Sequence, residues 1–175
     1  SDSFNEYYDE DLDYPIMSSD EAKDSLVDNS TSDIVIDSDI TITSDDNVRI
    51  SSDKTIDFSN NTVERTSVGG NGIVVGQTTG YATTPVNVIM KNGNFVADEG
   101  VSSSVVRVES GSTATFVNCT FDGRNPFQSY ASDDADGQVT TLVFEKCIFN
   151  GVVDLSTASG GGREYDVTFV DCVFT

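Results

Sequence analysis

The sequence predicts an all-β chain, a right-handed parallel β-helix of about five to six coils with a short capping helix at its N-terminal end. Two observations carry this. A six-residue cassette with Phe at both ends and Cys in fourth place occurs as Phe116-Val-Asn-Cys-Thr-Phe121, Phe144-Glu-Lys-Cys-Ile-Phe149 and Phe169-Val-Asp-Cys-Val-Phe174. The copies are 28 and 25 residues apart, a period that belongs to stacked supersecondary units. Weaker copies carry the repeat upstream: Met90-Lys-Asn-Gly-Asn-Phe95 has Gly93 where Cys would stand, and Phe58-Ser-Asn-Asn-Thr-Val63 keeps the spacing and the central Asn. The rest of the chain supplies the second observation, short Val- and Ile-rich runs broken by Ser, Asp and Gly.

The cassette needs a bend. Side chains alternate along a strand, so its first and fourth places face opposite ways unless the chain turns between them. The polar residue before Cys or Gly marks that corner. With coils about 4.8 Å apart, equivalent residues stack, and Phe121, Phe149 and Phe174 are expected to form one interior ladder and Cys119, Cys147 and Cys172 another. Each buried Phe contributes about 1.5–3 kcal/mol, but a coil has a core only when a neighbour covers it.

In chain order, residues 1–17 form an acidic arm with Phe4, Tyr7, Tyr8 and Tyr14. So many aromatics are unusual in a plain linker, and the arm is expected to dock on a partner. Residues 18–30 are expected to cap the solenoid. Ser18-Ser-Asp-Glu21 has the capping-box spacing, and Ala22, Leu26 and Val27 share a face. The β-helix then fills residues 31–175. Ile34-Val-Ile36, Ile40-Thr-Ile42 and Val48-Arg-Ile50 begin it, and Val105, Val106 and Val108 make a later strand with Arg107 and Glu109 facing out. Two long interruptions are candidate ligand or partner loops, one with Tyr81 and the other with Arg124, Phe127, Gln128 and Tyr130. Flat aromatic faces beside polar groups suit a glycan or a protein surface.

Thr55-Ile-Asp-Phe-Ser-Asn-Asn-Thr-Val63, Val105-Val-Arg-Val-Glu-Ser-Gly-Ser-Thr113 and the cassettes resemble the pectin-lyase-like β-helix superfamily over residues 19–175. The resemblance implies a fold shared by polysaccharide lyases, virion appendages and surface adhesins, and fold does not fix function. Lyases of this kind use calcium-binding acids with a catalytic Arg or Lys on an outer sheet face. Arg107 beside Glu109 is the one comparable pair, too little to carry a catalytic site over.

Composition narrows the classes. The 175 residues carry a net charge of −21 with only nine Lys and Arg, which argues against nucleic acid as a ligand. No apolar run reaches the roughly 20 residues of a membrane span. Three Cys, no CxxC and no His fit buried thiols rather than a disulfide framework or a zinc site. Asp37-Ser-Asp39, Ser44-Asp-Asp46 and Ser132-Asp-Asp-Ala-Asp-Gly137 resemble calcium-ligating stretches, but none has the spacing of a calcium loop; no metal or cofactor is expected.

The expected function is therefore non-enzymatic: a structural or attachment protein of an extracellular assembly, foremost a virion component such as a head decoration, fibre or tail-associated protein. The sequence begins Ser-Asp-Ser without a signal-peptide pattern, which together with the unpaired cysteines favours the virion. A microbial cell-surface adhesin is the alternative and a polysaccharide lyase or hydrolase the second. An unfinished last coil after Phe174 is expected to leave an open edge, so the partners are expected to be proteins, either identical subunits or a larger assembly, with a surface glycan as a further candidate.

Overall fold

The computed structural model describes residues 17–67, 72–79, 82–98, 105–123, 127–129, 138–151 and 164–175. It is a parallel β-solenoid preceded by one helix, α1 (Ser19–Val27). The first sheet stacks β1 (Asp33–Val35), β4 (Lys54–Asp57), β9 (Asn87–Lys91), β12 (Thr113–Val117), β15 (Val139–Glu145) and β17 (Glu164–Val170). The second stacks β2 (Ile40–Ile42), β5 (Thr62–Arg65), β10 (Asn94–Ala97), β13 (Thr120–Asp122), β16 (Ile148–Asn150) and β18 (Val173–Phe174). A third holds β3 (Val48–Ile50), β6 (Ile73–Val75), β11 (Val106–Val108) and β14 (Phe127–Ser129). Four turns thus contribute a strand to all three faces, and two later ones show strands in the first two sheets. A small antiparallel hairpin, β7 (Gln77–Thr79) with β8 (Ala82–Thr84), leaves the second turn.

The cassette spans the corner between the first and second sheets. Asn92, Asn118, Lys146 and Asp171 occupy it with φ of 57°, 54°, 54° and 53°, the left-handed conformation that Asn and Asp tolerate best. That single residue turns the chain so that both cassette Phe rings point inward. Phe95, Phe121, Phe149 and Phe174 stack with centroids 5.2, 5.1 and 5.0 Å apart. Phe116, Phe144 and Phe169 form a second stack at 5.2 and 5.1 Å. Edge contacts join the two stacks, as between Phe116 and Phe121 at 5.3 Å and 77°, an arrangement that aromatic quadrupoles favour.

The earlier turns solve the same problem mainly with aliphatic side chains, Phe58 adding one ring edge-on to Phe95 at 5.4 Å. Ile40 and Val63 occupy the positions below Phe95 in the second sheet, and Ile56 and Met90 those below Phe116 in the first. Over the first turn lies α1. Its Ser18 hydroxyl accepts from Glu21 N, and the Glu21 carboxylate accepts from Ser18 N at 2.9 Å, so the capping box is closed. Ala22 and Leu26 are buried against the solenoid interior, whereas Val27 faces solvent, one position too far round the helix to join them. Lys54 sits at an inward position of the first sheet, yet its ammonium reaches the carbonyls of Asp28 and Thr31 beyond the helix. It satisfies carbonyls left open where the chain enters the solenoid.

Candidate functional site

Three places gather chemistry: the last turn, a charged cluster on the third sheet, and the cysteine column.

At the last turn, Phe169 and Phe174 are 39% and 55% exposed, although their counterparts one turn earlier, Phe144 and Phe149, are 0% and 1% exposed. Phe and Cys stand at the same places in both cassettes, and the described residues include no turn after the last one. Val170 and Val173 are exposed beside these rings, as are Val139 and Ile148 in the preceding turn. All the large hydrophobics exposed by more than a third among the described residues, apart from Val27 and Val35, lie in these two turns. The outer edges of β17 and β18 meet no further strand among the described residues.

The charged cluster corrects the expectation that Glu109 faces out. It is 2% exposed, because β11 ends at Val108 and the strand's alternation no longer governs the next residue. Its Oε1 accepts from Arg49 and Arg107, each at 3.2 Å, and Arg49 also donates to the Gly76 carbonyl at 2.6 Å. Arg49, Val74, Arg107 and Gln128 stand in one row across the third sheet. Arg49 was legible in the Val48-Arg-Ile50 strand but was not connected to Glu109, 60 residues away; stacking at a repeat period is the signal that links them. Arg65, another strand residue, is buried at an inward position and donates through Nε to the Ser67 carbonyl at 3.0 Å. Burial, then the neighbouring Arg107 charge, pulls its ionisation below the usual arginine range.

Cys119, Cys147 and Cys172 are free thiols in one column. Each Sγ donates to the first residue of the preceding cassette: Cys119 to Met90 O at 3.5 Å, Cys147 to Phe116 O at 3.4 Å and Cys172 to Phe144 O at 3.3 Å. The Cys119 contact and burial push the Cys147 thiol up, while Cys119, at the other end of that hydrogen bond, shifts the opposite way. Enclosed thiols of this kind pack as small hydrophobes.

The acids at turns act as backbone caps. Asp39 accepts from Thr62 N at 2.8 Å, Asp46 from Thr43 N and Lys23 at 2.8 and 2.9 Å, and Asp37 from Met17 N at 3.3 Å. The Asn92 amide and the Ser59 N–H hold the Asp57 carboxyl below the usual carboxylate range. A hydrogen bond with Asp98, added to burial, pushes the Glu64 carboxyl up. Among the described residues, no three His, Cys, Asp or Glu side chains converge as a metal site requires. A cavity of about 230 Å³ beside Asp53, Lys54 and Asn87 is lined by groups with partners, Asp53 accepting from Asn87 N at 2.8 Å.

The aromatic arm with Phe4, Tyr7, Tyr8 and Tyr14 lies outside the described residues, as do Tyr81, Arg124, Tyr130 and the acidic run 132–137. Of the longer loop, the backbone of Phe127 and Gln128 is described, in β14, opposite Val106 and Arg107 of β11. No helix of the described residues is long and apolar enough to cross a membrane. No protein-family model, curated protein or solved structure matches the chain.

Proposed function

We propose that the chain is a non-enzymatic structural or attachment component of an extracellular assembly, foremost a virion component. The observation that carries this is that the charged groups on the third sheet are spent on one another, Arg49 and Arg107 both being held by the buried Glu109 carboxylate. Arg107, the base a lyase would need, is instead held against buried Glu109. The free thiols favour a protein that folds inside a reducing cell before its particle is released.

A cell-surface adhesin is the second reading. It is favoured by the outer row Thr55, Ile89, Thr115, Val143 and Thr168 of the first sheet, a β-branched face broad enough to lie on another surface. Immunogold labelling of the source cells and of any particles they release tests both. Label on particles is the expected outcome, label on the envelope assigns the adhesin, and label confined to the cell interior overturns the proposal. A broad glycan panel is expected to yield no reducing or unsaturated sugar ends.

A further inference from the structure

We infer that the outer face of the first sheet pairs two copies of this chain, face to face about a two-fold axis that runs along β12. The inference deepens the assembly reading above by naming an identical subunit as one partner. It starts from charge. The chain carries −21, yet the outward positions of β9, β12 and β15 hold Thr, Ile, Val and Asn with one base, Lys91, and one acid, Glu145. This face is neutral in a strongly acidic chain, so two copies meet there with least repulsion.

The register decides how they meet. Lys91, Val117 and Glu145 stand in one row, with Lys91 and Glu145 one strand to either side of β12. A two-fold axis along β12, in the plane of the interface, lays β9 of each copy on β15 of the other. Lys91 then faces the second copy's Glu145 twice, Ile89 faces the second copy's Val143 twice, and Thr115 meets its own counterpart on the axis. Within one chain Lys91 and Glu145 are two strands, about 9.6 Å, apart, and Val117 lies between them. Sheets packed in this way keep their strands within about 30° of each other and lie about 10 Å apart, a gap that these two long side chains span. The same arrangement turns Asp166 of β17 toward Asp53, just before β4, and this like-charge contact at the rim opposes it. The five strands β4, β9, β12, β15 and β17, about five residues deep, cover about 400 Å² on each copy. A contact of that size belongs with weak, transient interfaces, which fill when chains are concentrated in an assembly.

Sedimentation equilibrium of the 175-residue chain tests this, over a series up to about 1 mM. Salt is held at about 0.15 M, where charges more than about 8 Å apart are screened and contact pairs persist. The expected result is a reversible rise from 18.7 kDa toward twice that mass. Thr115→Arg, which sets two guanidinium groups on the axis, is expected to weaken association at least about tenfold. Thr120→Arg, on the outer face of the second sheet, is expected to leave it unchanged. Lys91→Glu and Glu145→Lys are each expected to weaken it at least about tenfold alone and to recover it when the two variants are mixed, because a mixed pair restores both Lys–Glu contacts. Asp166→Asn, which removes the rim repulsion, is expected to strengthen it about threefold. A monomer across the whole series overturns the inference. So does a dimer that Thr115→Arg leaves intact, since it then uses another surface, and so does a mixture of the two charge variants that associates no better than either alone. A chain that labels on particles but stays a monomer keeps its assembly role and loses this face; one that pairs through the face but labels only the cell interior keeps the face and loses the assembly reading.

Discussion

The first two turns and the last two are built on one backbone plan but filled differently. The early turns pack Ile36, Ile40, Ile42, Ile50 and Ile56 under a helix, whereas the late ones stack Phe rings that continue to the open edge. β-branched side chains have stiff rotamers and fill a pleated interior layer by layer. Phe rings instead stack on the ring above and the ring below, so each turn is tied to both of its neighbours. The helix-covered turns are thus filled chiefly by aliphatic side chains and the later turns by stacked rings.

The largest effect that would break this comparison is expected in the middle of the stack. Phe121 touches Phe95, Phe116, Phe144 and Phe149, and Phe121→Ala is expected to cost about 3–5 kcal/mol in urea unfolding. Loss of less than half of that would mean the stacks relax around the gap. At the other end, Leu26→Ala removes the cap's main anchor and is expected to cost about 2 kcal/mol, the low end for such a truncation, because the cap covers only one turn. If Leu26→Ala proves as costly as Phe121→Ala, the cap organises the whole solenoid. Phe174→Ala sharpens the contrast further: the residue type and the stack are those of Phe149, yet only about 1 kcal/mol is expected to be lost, in proportion to the area it already shows to water.

Much of this was legible in the sequence because the repeat writes the fold directly. The ladders of Phe121, Phe149 and Phe174 and the corner at Asn118 follow from a spacing that no helix or lone strand satisfies. The site was less legible, for a physical reason. Glu109 reads as an outward acid because alternation is a rule about strands, and it had left its strand by one residue. Its partner Arg49 lies two turns away, where only the stacking register brings the two together. The exposure of Phe174 follows from its place in the last described turn.

The smallest effect concerns the corner rather than the core. From the second turn to the fourth, the side chains near this corner bond to one another: Asn118 Nδ2 donates to Asn92 Oδ1 at 2.8 Å, and Asn92 Nδ2 to Asp57 Oδ1 at 3.0 Å. In the late turns that chain is interrupted by Lys146, whose φ of 54° places a residue with no local hydrogen-bonding group in the left-handed region. Lys146→Asn restores a side chain suited to that conformation one turn beyond Asn118. It is expected to raise stability by about 0.5–1 kcal/mol, read as a shift of the urea midpoint with an unchanged slope. A neutral result would locate the benefit of the Asn corners in their hydrogen bonds, which run on to Asp57, rather than in backbone preference.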